Sequence, residues 1–189
     1  MESVKLPPLK DQVAGALRQE IFARHLEDGQ ELAQEEIART LGVSRIPVRE
    51  AFLMLESEGL LERLPNRHVR VVGLTAERLR QNFAVLAALE GELAALALPV
   101  LQGKTLPPPQ EDRAFHHQFG QVLGNHMLCQ LYTTQRQILF EGVTPPRDDA
   151  RTPLNSLIAQ TIRSGTDPRP VIRHYYEILA EKAIKELGL

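Results

Sequence analysis

Apolar residues recur at helical spacing in three separate stretches near the N-terminus. Positions three and four apart share one side of an α-helix, so each stretch predicts a helix with one buried face. The predicted helices cover residues 9–25, 34–41 and 44 to about 58. Gly42 is placed to end the second helix in a left-handed cap, and Ser44 is a favourable N-cap for the third. Pro47 is acceptable because it falls in the first turn, where its missing N–H is not needed.

Two short runs of apolar and β-branched residues follow, at 60–64 and 69–72. The turn-forming segment Pro65-Asn66-Arg67-His68 separates them, which predicts a β-hairpin. Three helices followed by a hairpin is the order of a winged helix-turn-helix.

The remainder of the chain has a continuous helical pattern. A long Ala- and Leu-rich helix is predicted from residue 76 to about 101, so we place domains at residues 1–74 and 75–189. The loops GKTLPPP (103–109) and GVTPPRDDARTP (142–153) separate it from helices at 111–140, 154–165 and 168–187, with a break near Gly124-Asn125 allowed. The predicted fold is mainly α, a winged helix-turn-helix followed by an antiparallel helical bundle.

Composition adds few constraints. The chain has 189 residues, is 43% hydrophobic and 24% charged, and carries a formal net charge of −2, so only locally placed cations can indicate nucleic-acid binding. Its one cysteine, Cys129, excludes an intrachain disulfide and favours a reducing cytoplasm. The start MESVKLPPLK lacks the apolar run of a signal peptide, and no stretch approaches the ~18 apolar residues of a membrane span. We expect a soluble, cytoplasmic protein.

The third predicted helix carries two cations on one side. Arg45 and Arg49 are four residues apart and project together, whereas Val48, Ala51 and Phe52 form the apolar stripe. A recognition helix presents its N-terminal residues to the DNA major groove, where arginine can bind guanine with two hydrogen bonds. In an isolated helix, Arg45 and Arg49 would be interpreted as ordinary solvent-exposed charges. The order of the surrounding elements instead favours a role in DNA binding.

The predicted hairpin adds further cations that could reach an adjacent groove or the DNA backbone. The predicted DNA contacts are Ser44, Arg45, Pro47, Arg49, Arg67, His68 and Arg70.

The segment from 9 to 75 resembles the DNA-binding domain of the GntR family of bacterial transcription regulators. The resemblance lies in EEIARTLGVSRIPVREA at 35–51, in the turn Asp28-Gly29, and in Leu55, Glu56, Gly59 and Leu60. It implies a DNA-binding regulator and not an enzyme, acting as a homodimer on a palindromic operator. His68 stands where the family usually has a wing-tip glycine.

The helical remainder resembles the C-terminal domain of the FadR-like branch, called FCD, although it is short. The matching residues are Leu89-Glu90, Asp112-Arg113-Ala114-Phe115-His116 and Gly124-Asn125. The resemblance implies a helical bundle that binds a divalent metal and a small carboxylate.

Asp112 and His116 lie four residues apart, so both can reach one ion from one helix face, and zinc, nickel and manganese suit them equally. The resemblance implies two further metal-binding histidines later in the chain. Asn155 stands where the first of them is expected. The second is expected near Glu177, and the nearest histidine is His174, one turn earlier. The predicted metal ligands are Asp112, His116, Asn155 and His174. The predicted effector pocket contains Glu90, Asn125 and Glu177. Leu86 replaces an arginine often found one turn before Glu90, and His117 and His126 are interpreted as surface or satisfied residues.

The leading hypothesis is a transcription regulator, a repressor, whose operator affinity is modulated by a small carboxylate metabolite. One alternative is a DNA-binding dimer with a ligand-blind C-terminal domain, in which Asp112 and His116 merely pair. A remote alternative is a metal-dependent hydrolase, for which the sequence offers neither a clear base nor a complete ligand set.

Overall fold

The computed structural model describes residues 7–66, 68–143 and 151–189, without the side chains of Glu141 and Gly142. The chain divides into two compact units, and the boundary falls between Leu74 and Thr75. The predicted DNA contact Arg67 and most of the loop predicted at 142–153 lie outside the described residues.

The N-terminal unit contains three helices and a small sheet. The helices are α1 (Leu9–Phe22), α2 (Gln34–Leu41) and α3 (Arg45–Ser57), and the strands are β1 (Glu31–Leu32), β2 (Leu61–Arg63) and β3 (Val69–Val71). The sheet is antiparallel in the order β1-β3-β2, with Leu32 opposite Val69 and Leu61 opposite Val71. The sequence pattern did not predict β1, because two residues are too few to show an alternation.

The core of the N-terminal unit is built on α3. Its residues Val48, Ala51, Phe52 and Leu55 are fully buried, and α1 contributes Val13, Leu17 and Ile21. A bidentate ion pair adds to this packing, since Arg18 of α1 donates from Nε (2.9 Å) and Nη2 (2.7 Å) to the Glu58 carboxylate. The orientation of α3 is therefore fixed by both apolar contacts and a two-point polar contact.

Two glycines are required by the backbone of this unit. Gly42 ends α2 at φ 65°, the predicted left-handed cap. Gly73 donates its N–H to Asp28 Oδ1 (2.9 Å), and a Cβ at Gly73 would lie 2.5 Å from the Asp28 Cβ. Ser44 is the N-cap residue of α3, as predicted, with an extended backbone, but its side chain makes no capping hydrogen bond.

The C-terminal unit is a helical bundle. Its helices are α4 (Ala76–Leu101), α5 (Asp112–Gln121), α6 (His126–Gly142), α7 (Arg151–Arg163) and α8 (Arg169–Glu186), and α4 and α8 form the most extensive helix pair. By length and composition α4 could cross a membrane, contrary to the sequence expectation. Its central residue Glu90 is fully buried within the bundle, so α4 is the core helix of this unit.

The first helix ends earlier than predicted, at Phe22 rather than residue 25. The break allowed near Gly124-Asn125 is confirmed: Gly124 has φ 63°, and Asn125 caps α6 by accepting a hydrogen bond from the Leu128 N–H (3.2 Å). Helix α7 begins at Arg151 rather than residue 154, because Pro153 lies in its first turn, where proline is tolerated.

Candidate functional site

The N-terminal half of α3 separates charged from apolar residues. Arg45 is exposed on 66% of its side-chain surface and Arg49 is also exposed, whereas Val48 between them is fully buried. Ile46 is 63% exposed beside Arg45. The outer face of the N-terminal half of α3 therefore presents two guanidinium groups and the apolar side chain of Ile46 to solvent, and Leu53 is exposed further along the helix.

The two arginines have different surroundings. Arg45 Nη2 donates to Glu35 Oε1 of α2 at 2.5 Å, an exposed ion pair. Within the described ranges no hydrogen bond or ion pair is found for Arg49. Pro47 is buried beside Val48, so it packs against the core and cannot contact a base, which corrects its assignment as a DNA contact. Ser44 is exposed at the helix N-terminus.

His68 and Arg70 of the hairpin lie near carboxylates of the same sheet. His68 Nδ1 is 3.6 Å from Glu31 Oε2, and Arg70 Nε is 3.9 Å from Glu62 Oε2. Both side chains are more than 40% exposed, at 44% and 45%. Pairs this exposed contribute little to stability and leave both side chains available to an anion such as a DNA phosphate.

The C-terminal unit contains a buried polar cluster, which we call the Glu90–His116 cluster and which also includes Asp112, Asn155 and Arg136. Glu90, His116 and Asn155 have no solvent-exposed surface. His116 Nδ1 contacts Glu90 Oε1, and its Nε2 lies 2.9 Å from Asn155 Oδ1 and 3.5 Å from Asp112 Oδ1. Three of the predicted ligands, Asp112, His116 and Asn155, are therefore brought together.

The hydrogen-bond pattern determines the protonation of His116. The Asn155 amide nitrogen donates to Pro109 O (2.9 Å) and Asp112 Oδ1 (3.0 Å), so its oxygen faces His116 Nε2 as an acceptor. When Glu90 is ionised its carboxylate accepts at Nδ1, and both ring nitrogens then carry hydrogen, which is the imidazolium form. Burial alone would lower the pKa of His116, but the Glu90 charge and the hydrogen bonds to Asp112 and Glu90 raise it above its ordinary value.

All three tyrosines of the sequence join this cluster. The hydroxyls of Tyr132 and Tyr176 donate to Glu90 Oε2, and that of Tyr175 donates to Asp112 Oδ1 at 2.7 Å. Burial raises the pKa of each phenol well above its ordinary value, so all three act as neutral donors. Sequence reasoning missed them because an aromatic residue at helical spacing is usually an apolar core residue.

Arg136 of α6 provides the second buried cation. Its Nη2 donates to Asp112 Oδ2 at 2.6 Å, and its guanidinium carbon lies 4.1 Å from the centre of the Phe140 ring. Burial tends to raise the pKa of Asp112, but hydrogen bonding and charge from His116, together with the Arg136 charge, lower it far below its ordinary value. Arg151 Nη1 lies 3.4 Å from the same carboxylate oxygen. Glu90 and Asp112 are thus balanced by His116 and Arg136.

This donor set does not fit a divalent metal. A metal-binding imidazole must be neutral, and both nitrogens of His116 are protonated and occupied. Asp112 is already paired with Arg136, and Asn155 offers only a neutral amide. In the part of the chain that the structure describes, no three His, Cys, Asp or Glu side chains are grouped to hold an ion.

His174 and Glu177 lie outside the cluster. Their side chains are 59% and 64% exposed and lie 3.9 Å apart, so the assignment of His174 as a metal ligand is corrected, whereas Glu177 lines a groove between α4 and α8. The helix phase explains the error, because the adjacent Tyr175 and Tyr176 take the inward positions. Asn125 caps α6 and is exposed, so of the predicted effector residues only Glu90 is in the cluster.

A cleft between α5 and α6 lies next to the Glu90–His116 cluster. Its volume is about 140 Å³, and its lining residues are Arg113, His117, Tyr132, Thr133, Arg136, Gln137 and Phe140. His117 Nδ1 lies 3.1 Å from Thr133 Oγ1, and His126 is exposed at the start of α6. A separate groove of about 450 Å³ between α4 and α8 is lined by alanines, Phe83, Tyr176, Glu177 and other charged residues.

Comparisons with known proteins agree with the N-terminal architecture. The sequence profile described as "Bacterial regulatory proteins, gntR family" matches residues 9–71. The regulator YdfH of Escherichia coli is 30% identical over 91% of this chain and 88% of its own length. The E. coli repressor RspR is 30% identical over 90% of this chain and 87% of its own length.

The solved structures that resemble the chain are much less similar in sequence and show the fold alone. E. coli McbR/YncC has a TM-score of 0.56 and 19% identity over 97% of this chain and 98% of its own. Lar of Listeria monocytogenes has a TM-score of 0.60 and 19% identity over 96% and 99%. Given the match to YdfH over nearly its full length, the chain belongs to the GntR family. It is a DNA-binding transcription regulator and not an enzyme.

Proposed function

We propose that the protein binds a specific operator by inserting the N-terminal half of α3 into the major groove. The observation that carries this proposal is the exposure of Arg45 and Arg49 on a helix whose other face is fully buried. Their guanidinium groups can reach guanine O6 and N7, and Ile46 can contact a thymine methyl. Ser44, His68 and Arg70, together with the sequence-predicted contact Arg67, would hold the DNA backbone.

We propose further that it binds as a homodimer on a palindromic operator, as two recognition helices one DNA turn apart require. The exposed side of α4 offers an apolar stripe for a second copy. Val85 and Leu96, 69% and 61% exposed, lie three helical turns apart on this stripe, and Val100 at 42% extends it. Burying such residues between identical copies would remove apolar surface from water.

The regulatory part of the proposal concerns the C-terminal unit, which we assign to the FCD type of the FadR-like branch. A small carboxylate bound there would favour one arrangement of the two DNA-binding units of the dimer. Operator affinity would then change by an amount set by the difference between the ligand's affinities for the two arrangements. RspR, which is 30% identical to this chain, is a repressor, and this supports repression as the mode of action. We propose that the protein acts in the cytoplasm. The imidazolium form of His116 supports a ligand site without a metal.

A second candidate function is a DNA-binding dimer that senses no small molecule. The polar groups of Glu90, His116 and Asn155 are all satisfied by the protein itself, which is what a purely structural cluster needs. A thermal-shift screen with organic acids separates the candidates. Stabilisation by a carboxylate would exclude the second one, and no shift with any acid would support it.

The test of DNA recognition is selection of genomic fragments by the purified full-length chain, followed by sequencing. We expect an enriched inverted repeat whose half-sites are centred about 10 base pairs apart or a multiple of that, with two chains bound per site in light scattering. Double substitution Val85→Glu, Leu96→Glu should reduce the bound stoichiometry. Enrichment without sequence symmetry, by a monomer, would contradict the proposal.

A further inference from the structure

A carboxylate of α2 lies next to one of the two exposed cations of α3. Glu35 is in the first turn of α2, and its Oε1 accepts a hydrogen bond from Arg45 Nη2 at 2.5 Å. The Arg45 and Glu35 side chains are 66% and 64% exposed, so the pair faces solvent and would face DNA when α3 enters the groove. A pair this exposed contributes little to folding, so stability does not explain a negative charge at this position.

The sheet repeats this arrangement. Strand β3 is the central strand, and its Arg70 has Glu31 of β1 and Glu62 of β2 as partners on its two sides. Directly opposed residues project from the same face of a sheet, so the cation lies between two acidic residues. Arg70 Nε is 3.9 Å from Glu62 Oε2, and Glu31 Oε2 is 3.6 Å from His68 Nδ1. All four side chains are between 44% and 61% exposed.

Acidic residues at these positions oppose binding to any DNA backbone. Affinity for random DNA comes almost entirely from cations that neutralise phosphates, and like charges brought together at an interface suppress wrong partners. A guanidinium paired with a carboxylate attracts phosphate weakly, but its remaining N–H donors can still make a two-point contact with guanine O6 and N7. The pairs therefore penalise backbone contacts more than base contacts. The formal net charge of −2 adds no general attraction to DNA.

We infer that Glu31, Glu35 and Glu62 are specificity-determining residues, which keep affinity for random DNA low so that only a site offering base contacts to α3 binds tightly. This inference rests on the proposed binding of α3 to an operator and adds discrimination against other sequences. In the operator complex Arg45 is committed to a base, and Glu35 holds its guanidinium in position from α2. On random DNA the same contact keeps Arg45 from turning to a phosphate.

The experiment is fluorescence titration of the full-length protein with an enriched genomic site and with scrambled DNA of equal length, each at several salt concentrations. Glu35→Gln keeps the size of the side chain and removes its charge. We expect the Kd for scrambled DNA to fall about two- to fivefold and the Kd for the enriched site to fall less, so the ratio of affinities decreases. The slope of log K against log salt for scrambled DNA should steepen by about 0.9, which corresponds to one more phosphate contact. The triple variant Glu31→Gln, Glu35→Gln, Glu62→Gln should steepen it further.

Glu20→Gln is the matched control, because it makes the same change of charge in an exposed pair, with His25, that includes no proposed DNA contact. It should leave the slope and the ratio at their wild-type values. An unchanged slope and ratio in Glu35→Gln, a ratio that rises, or an equal change in Glu20→Gln would each overturn the inference. If the wild type discriminates between the two DNAs and Glu35→Gln discriminates equally well, only this inference is rejected. If the wild type binds both DNAs equally, the proposed operator recognition is rejected and the inference with it.

Discussion

Replacing Glu90 with glutamine tests the Glu90–His116 cluster most sharply. The Glu90 carboxylate accepts hydrogen bonds from Tyr132, Tyr176 and His116. Glutamine keeps one accepting oxygen, but its NH2 group must then face either the two phenols or the protonated His116 Nδ1. An NH2 group that faces His116 leaves one donor without an acceptor, and one that faces the phenols leaves two; in both cases the charge partner of His116 is lost.

The expected cost of Glu90→Gln follows from these losses. Removing one partner of a buried ion pair costs about 3–5 kcal/mol. For a unit of this size, that corresponds to a decrease in Tm on the order of 10 °C. The pKa of His116 should also fall, because the largest contribution that raises it comes from the Glu90 charge.

The assay is thermal unfolding followed by circular dichroism, with the His116 ring followed by NMR across pH. Glu92→Gln is the matched control, since Glu92 lies two residues further on the same helix and its side chain is 60% exposed against Arg169. It should leave the Tm unchanged. Equal and small effects of both substitutions, with His116 titrating as in the wild type, would refute the buried charge network.

Three further predictions concern other parts of the chain. Gly73→Ala places a methyl group 2.5 Å from the Asp28 Cβ and should destabilise the N-terminal unit by about 1–3 kcal/mol in chemical unfolding; a neutral effect would contradict the close approach. Glu35→Gln removes the carboxylate that pairs with Arg45, so DNA should bind about two- to fivefold more tightly in a fluorescence titration, and weaker binding would show that the pair helps recognition. The folded-state pKa of Asp112 is depressed, so its contribution to stability is present above the unfolded value of about 3.9 and is lost as pH falls below it. Unfolding midpoints measured from pH 6 to pH 2 should therefore fall less for Asp112→Asn than for the wild type, and parallel curves would contradict this.

The DNA-binding module was predictable from sequence because its signals are local. The stripe of Val48, Ala51 and Phe52 and the cap at Gly42 determine α2 and α3 whatever surrounds them. Strand β1 was missed because its two residues become a strand only by pairing with β3, a contact distant in sequence. The inward orientation of Pro47 likewise depends on packing that residue type does not reveal.

The candidate effector site was predicted only in part. The spacing of Asp112 and His116 places them on one helix face, and the resemblance located Asn155. The spacing could not show that His116 lies between Glu90 and Asn155, because that contact depends on three helices, α4, α5 and α7, meeting. Arg136 was missed because an arginine near the middle of a helix usually lies on a solvated face.

The most direct test of the central claim is the ratio of affinities for an enriched genomic site and for scrambled DNA of equal length, measured at one salt concentration. Arg49→Ala should lower this ratio roughly fivefold to more than a hundredfold, because the lost contact is to a base. The decrease corresponds to about 1–3 kcal/mol of binding free energy. Arg163→Ala, an exposed arginine of the C-terminal unit, should leave it unchanged. A ratio that stays at the wild-type value in Arg49→Ala would contradict the assignment of α3 as the helix that reads DNA.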